Sequence, residues 1–431
     1  MPDPTLIRAH RQPPMVANLL ISLLAVLTLF LNGCATTPPT VGAVRPVCFG
    51  GNQAVTPPRA TSGNPDSATT SGIVVLAATA TSAEPRPTLP PEVIAELTAL
   101  GARDDACAVL IVGSRDNVTI TTMPITPYRA NGQLERGSHR SAALQANIRA
   151  IADALAKAQS VHPGLDTLGL LHEVASRYAP STVYLVTSGI QTEAPIDLRE
   201  WQWDADPGTI TAFVAADRWL PDLSGWRVVG IGLGDAAGHQ PRLTPPLRER
   251  VTALWTSICQ ASRARTCLMQ THRTVAGPPL STNRVPVVAL PAPTVTPQQV
   301  SIPASLLFAL GSAVITPSAD SILADVALRG RREYLSVVGH TDASTGSVDG
   351  NDRLSLDRAR AVAARLVALG VPEDHVQTIG AGSTGFTREA EQRDPGLISA
   401  HRCVTVTFLP TADTRAQTSA ITADPNPTET R

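Results

Sequence analysis

Three stretches rich in Pro, Thr, Ser, Ala and Gly interrupt this chain, and they limit what it can fold into. Residues 35–86, 270–298 (with "AGPPLSTNRVPVVALPAPTVTPQ") and 411–431 hold few large apolar side chains. Ordering a residue costs roughly 1–2 kcal/mol of chain entropy, and such segments bury too little surface to offset it. They read as a disordered tether, a linker and a disordered tail. The segments left between them, 87–269 and 299–410, show hydrophobic periodicity, and each has the length of one domain. With 35 basic against 36 acidic side chains the formal net charge is −1, which gives no long-range field toward polyanions and excludes a general nucleic-acid binder.

The N-terminal segment bears on the compartment. Arg8, His10 and Arg11 precede "MVANLLISLLAVLTLFLNGC", an apolar run with Leu31 and Gly33 just ahead of Cys34. This is the layout of an export signal. The "LNGC" word resembles a bacterial lipobox, which implies cleavage after Gly33, lipidation of Cys34 and a membrane-anchored lipoprotein of the cell envelope, facing the periplasm or cell wall. An uncleaved anchor and plain secretion are the alternatives, although Met15 to Phe30 falls just short of the roughly 20 residues that span a bilayer. Six cysteines are present, and with Cys34 lipidated an odd number remains, so at most two disulfides can close within the chain. Cys259 and Cys267 are the favoured pair, with buried free thiols as the alternative. No CxxC spacing points to zinc.

In 87–269, short β-branched runs at 107–112, 182–187 and 226–233 alternate with helical patterns, as in a parallel sheet covered by helices on both faces. The fold class expected is therefore α/β for this unit, a three-layer domain, and α+β for the next. The pattern resembles a von Willebrand factor A-type domain. That family's metal site implies a DxSxS loop, a threonine and an aspartate. The corresponding loop is read as "VGSRDN", Ser188 and Gly189 stand where the acidic residue would be, and only Thr167 fits, so a degenerate, metal-free scaffold is expected. "GIGLGDAAG" at 230–238 lacks the GxGxxG spacing and a helix directly behind it, so a nucleotide site is not expected. All five tryptophans fall in this unit, and core packing with satisfied indole N–H groups is favoured over a binding face.

The segment 299–410 carries the chemistry. Leu306, Phe308 and Leu310 alternate as in a strand, Thr316 caps a helix with Pro317 in its first turn, "EYLSVVGH" is a strand, and a helix is expected from Asn351 or Asp352 to Gly370. "VQTIGAG" and "CVTVTFL" complete a β-α-β-α-β-β order. The words "LLFALGSAVITP", "VVGHTDASTG", "NDRLSLDRARAVAARLVALGV", "TIGAGS" and "HRCVTV" resemble, in order and spacing, the OmpA-like peptidoglycan-binding domain over about 110 residues. The resemblance implies non-covalent binding of peptidoglycan through the diaminopimelate of the stem peptide. It assigns the ammonium to Asp342 and the carboxylate to Arg358, gives Thr341 and Asn351 loop-shaping and hydrogen-bonding roles, and matches Arg402 to the arginine of the closing word. The chemistry agrees with this assignment, since a zwitterion needs one anion beside one cation and the guanidinium fork pairs with a carboxylate through two charge-assisted bonds. Ala309, His401 and Cys403 depart from the family pattern.

Other readings of this loop fail. As a calcium loop starting at Asp342 its twelfth position would be Arg353, a cation where a bidentate carboxylate is required. His340 has no nucleophile motif beside it. The expectation is a non-enzymatic envelope protein without cofactors. Its partners would be peptidoglycan, a membrane through the lipid anchor, and a protein bound by the middle unit that the sequence does not specify. The alternative is a cell-wall enzyme or adhesion module acting through the middle unit. An ion-channel stator would need an acidic residue in the N-terminal helix, and Met15 to Phe30 has none.

Overall fold

The structure, a computed structural model, describes residues 72–115, 117–269 and 277–409. The expected export signal with Cys34, most of the leading tether and the tail from 411 lie outside the described residues. In chain order the first half runs β1 (Ile73–Ala78), α1 (Pro91–Leu100), β2 (Cys107–Ser114), β3 (Asn117–Pro124), α2 (Arg140–Ala156) and α3 (Thr167–Arg177). It continues with β4 (Thr182–Val186), α4 (Leu198–Trp201), α5 (Pro207–Ala216), β5 (Arg227–Ile231), α6 (Pro245–Ala261) and β6 (Thr266–Met269).

β1 corrects the expected tether. Its sequence IVVLAA is buried from Val74 onward, and it pairs in parallel with both β2 and β4. A strand so apolar is stable only when both faces are covered. The folded unit therefore opens with the described residues near 72, not at 87, and "CAVLIV" is its second strand. The Ala- and Thr-rich flanks of β1 hide a short apolar run inside a polar composition. The sheet order is β3-β2-β1-β4-β5-β6, and β3 lies antiparallel to β2 as a hairpin, so the sheet is mixed where an all-parallel one was expected.

Alternation along β1 sends Val75 and Ala77 into a cluster with Leu170, Trp226 and Trp255, and Val74 and Leu76 into a second cluster with Ile151 and Leu155. The sheet is thus the middle of three layers. Four tryptophans are buried, while Trp219 is exposed. The indole N–H groups of Trp201, Trp203 and Trp255 donate to the carbonyls of Pro195, Ala289 and Gly189, which is core packing rather than a binding face. A disulfide joins Cys259 to Cys267, Cys107 is also disulfide-bonded, and Cys403 is free. The expected linker 270–298 is packed where it is described. Val285 and Val288 are buried, and the Gln240 amide exchanges two hydrogen bonds with the Val288 backbone at 2.8 and 2.9 Å.

The second half contains β7 (Thr294–Val295), β8 (Gln299–Pro303), α7 (Ala304–Leu307), α8 (Asp320–Gly330), β9 (Tyr334–Gly339), α9 (Val348–Ala368), β10 (Val376–Gly380), α10 (Arg388–Arg393), α11 (Pro395–His401) and β11 (Cys403–Leu409). The sheet order is β10-β9-β11-β8-β7. Only β9 and β10 pair in parallel, and β11 runs antiparallel to both of its neighbours. The first strand within the expected unit 299–410 is thus 299–303. Leu306 lies in the short helix α7 and Phe308 follows it, because the chain turns at Pro303 and alternation over five residues does not separate a strand from one helical turn. Helix α9 starts three or four residues earlier than expected, at Val348, with the Ser347 hydroxyl accepting from the Gly350 N–H. It lies hard against β9, where a Cβ on Gly339 would meet the Ser355 carbonyl at 2.0 Å. Both sheets belong to one compact unit.

Candidate functional site

β9 ends at Gly339, and the chain then delivers His340, Thr341 and Asp342 to the C-terminal edge of the sheet. On α9, Asn351, Ser355 and Arg358 stand at i, i+4 and i+7, one stripe of the helix. All three are buried. Beyond them Ala359, Val362 and Leu366 join the hydrophobic core. One face of α9 therefore changes from polar to apolar along its length, and the polar part closes over the 340–346 loop.

The loop is held by its own side chains. The Asn351 amide donates to the carbonyls of Asp342 and Thr345 at 3.1 and 2.9 Å. The backbone N–H of Thr345 donates to Asp342 Oδ2 at 2.9 Å, and its hydroxyl donates to both Asp342 oxygens. Gly346 has φ +74°, which a glycine adopts without strain. Asn351 thus ties the loop to α9 through two of the loop's carbonyls. Thr341 is buried, its N–H donates to the Gly382 carbonyl, and its hydroxyl has no partner among the described residues.

Arg358 is 5% exposed and Asp342 2%, but they are not bonded to each other. Asp342 pairs with Arg402 Nε, while Arg358 Nε donates to the Ser312 carbonyl at 3.0 Å and its guanidinium lies 5.3 Å from the Phe308 ring centroid. Burial, and then the neighbouring charges of Arg402 and Arg250, push Arg358 down to about 10. The arrangement is one carboxylate and two guanidiniums, suited to a ligand that bears both signs of charge.

Sequence reasoning missed several participants. Glu391, fully buried, accepts from the Ala343 N–H at 2.9 Å and from the Ser344 hydroxyl, and pairs with His401 Nδ1 at 2.7 Å. The His401 ring stacks on Phe386 at 3.6 Å. His401, flagged only as a departure, therefore braces the loop from outside. Asp204 was also missed. It comes from the first half, and its main-chain carbonyl accepts from Arg402 Nη1 at 2.8 Å.

His340 contributes a pH dependence. Burial, then the charge of His401, lowers its pKa below the ordinary imidazole value, and its Nδ1 has no partner among the described residues. The unfolded chain takes up the proton first, so the stability this neutral ring contributes is present above about pH 6.5 and is lost as pH falls through the lower folded value. Urea midpoints at pH 7 and pH 5 should show a smaller acid loss for His340→Gln than for the wild type. Equal losses would remove His340 as the cause.

A second cluster sits at the C-terminal ends of β1 and β4, where the strand order reverses and where α/β sheets place their ligands. Glu84, 4% exposed, accepts from the hydroxyls of Thr79, Thr81 and Thr187 and from the N–H groups of Thr81 and Ser188. Thr167 joins through Thr187 at 3.0 Å. The described residues of "VGSRDN" instead lie at the adjoining ends of β2 and β3, with Ser114 paired to Asn117. They do not occupy the switch point, because β1 and not β2 is the central strand. No group of three or more His, Cys, Asp or Glu suited to a metal occurs among the described residues.

The second half is thus an α+β domain in which one strand end and one helix face bring together a buried group of charged side chains. Residues 307–395 match the model of the OmpA family, and this part of the chain is an OmpA-type domain. None of the curated proteins compared matches the chain. Among solved structures, the periplasmic domain of Helicobacter pylori MotB (residues 78–256) is similar at 21% identity, over 30% of this chain and 88% of that one, with a TM-score of 0.24. The cell wall anchor of the T6SS from Pseudomonas aeruginosa is similar at 25% identity, over 28% and 87%, with a TM-score of 0.24. The peptidoglycan-associated lipoprotein from Burkholderia pseudomallei is similar at 18% identity, over 26% and 89%, with a TM-score of 0.20.

Proposed function

We propose that the OmpA-type domain binds peptidoglycan non-covalently, through the free zwitterionic end of diaminopimelate in the stem peptide, and that the protein works as a non-enzymatic anchor in the cell envelope. The observation that carries this reading is the juxtaposition of Asp342, at the end of β9, with Arg358, on the buried polar stripe of α9, inside an OmpA-type fold. Asp342 receives the ammonium and Arg358 the carboxylate, Asn351 and Thr341 shape the loop, and Arg402 closes the site. A lipid on Cys34 would hold the chain to a membrane, with the residues before β1 setting its reach. The cell wall anchor and the peptidoglycan-associated lipoprotein among the similar structures are in keeping with this reading by their names.

Sedimentation with diaminopimelate-containing peptidoglycan tests it. Asp342→Ala in the full chain should weaken retention roughly tenfold or more, the loss expected when one partner of a buried charge-assisted contact is removed. The variant should also keep its circular dichroism spectrum. Undiminished retention by a folded variant would refute the assignment. A lysine-type wall, which lacks the free zwitterion of diaminopimelate, should be retained poorly by the wild type.

A further inference from the structure

The two halves meet at the site itself. Ile398, on α11 of the OmpA-type domain, is buried in the hydrophobic cluster of the first half. Beside it, Asp204 is almost fully buried. The Asp204 carboxylate accepts from the Ser305 N–H and hydroxyl at 2.7 Å each, and its own N–H donates to the Ser399 hydroxyl at 3.0 Å. Each of these bonds joins the first half to the second. The carboxyl is also 3.9 Å from Arg250 of α6, and burial pushes its pKa above the usual carboxylate range despite the guanidiniums nearby.

Arg402 is the link from this junction to the cleft. Its Nε holds Asp342, its Nη2 donates to the Thr345 hydroxyl at 2.7 Å, and its Nη1 donates to the Asp204 carbonyl at 2.8 Å. All three guanidinium nitrogens are engaged, and one of them is tied to the other half of the molecule. Both oxygens of the Asp342 carboxylate are already engaged by Arg402 and Thr345, and the side chain is 2% exposed, so an incoming ammonium meets a covered acceptor.

We propose that this junction is an autoinhibitory contact: the Asp204 side chain bolts the two halves together through Ser305, which holds its main-chain carbonyl on Arg402 and keeps Arg402 across Asp342, so the wall-binding site opens only when the two halves part. The inference rests on the peptidoglycan reading given above. Release of Asp204 frees Arg402 to swing off Asp342, which exposes the ammonium half of the site. The closed junction is not an optimised one. It gathers the guanidiniums of Arg250, Arg358 and Arg402 around two carboxylates, and Arg250, 6% exposed, keeps Nε and Nη1 without partners among the described residues. Unpaired buried donors and an excess of one charge favour opening. A contact meant only to fix two domains together would satisfy these groups or omit them.

The test uses the full chain with diaminopimelate-containing peptidoglycan and with free meso-diaminopimelate. Asp204→Ala should bind the wall at least tenfold more tightly than the wild type, and Asp204→Ala combined with Asp342→Ala should lose that gain. In the wild type, excess diaminopimelate should speed hydrogen exchange at the Ser305 and Asp204 amides, which bridge the junction, while amides in the middle of β1 stay protected. This measurement does not depend on how the variant folds. Equal wall binding by the wild type and Asp204→Ala, or unchanged exchange at Ser305 with ligand bound, overturns the closure and leaves wall binding intact. Failure of both proteins to bind any wall overturns the peptidoglycan reading and the closure with it.

Discussion

Arg358→Met should leave the protein as stable as the wild type, or more stable, while retention on diaminopimelate-containing peptidoglycan falls roughly 30-fold or more. The two effects come from one cause. The Arg358 charge is buried, and its pKa is pushed down from the ordinary guanidinium value to about 10 by burial first and by two neighbouring arginines second. A shift of that size corresponds to a folded-state penalty on the order of 3 kcal/mol. The sign is that of a base with a lowered pKa: below about pH 10 the penalty is present in full, and it is relieved only as pH rises above 10 toward the ordinary guanidinium value. Methionine fills similar volume without the charge, and it gives up the hydrogen bond to Ser312, about 1 kcal/mol, and the contact with Phe308. The net change is a gain of roughly 1–2 kcal/mol, readable as a higher urea midpoint. Arg358→Lys separates charge from shape: a compact, strongly hydrated ammonium is costlier to bury and cannot grip a carboxylate bidentately, so both stability and binding should fall. If Arg358→Met is destabilised by several kcal/mol and still binds the wall, Arg358 is a structural residue.

The OmpA-type cleft was legible because its parts lie close together in the chain. Asp342, Asn351 and Arg358 fall within seventeen residues, and the turn that joins them is written in local Gly, Ser and Asp. The rest of the site was not legible, for a physical reason. Asp204 meets Ser305 across 101 residues and Arg402 across 198, and no periodicity encodes which of many surface aspartates will be covered by another domain. Glu391 is one charge among several in "REAEQR", and its burial follows only from the packing of α10 on the loop. β1 was missed although its signal was present: "IVVLAA" is a continuous apolar run of the kind a central strand needs, set in a stretch whose overall composition is that of a tether. The ends of the first half were misjudged for the same reason, since Val285 and Val288 stand among prolines yet are buried.

The missed strand leads to the largest expected loss of stability. Glu84→Ala should destabilise the first half by about 3 kcal/mol or more. The carboxylate is the acceptor for three threonine hydroxyls and for the N–H groups of Thr81 and Ser188, at distances of 2.6 to 3.1 Å. Without it the hydroxyls can partly satisfy one another, since Thr79 and Thr187 already lie 2.9 Å apart. The two backbone donors have no such recourse, and each buried donor left unpaired costs roughly 1–3 kcal/mol. Glu84→Gln tests the argument more sharply than alanine. It preserves shape but turns an NH2 group toward a ring composed largely of donors, so its loss should approach that of alanine even though a buried charge has been removed. A net change of 3 kcal/mol in a unit of this size lowers the thermal midpoint by about 6–12 °C. The fall should appear in calorimetry as an earlier transition of the first half. A glutamine variant that melts within a degree or two of the wild type would mean that water, not this carboxylate, satisfies the crevice.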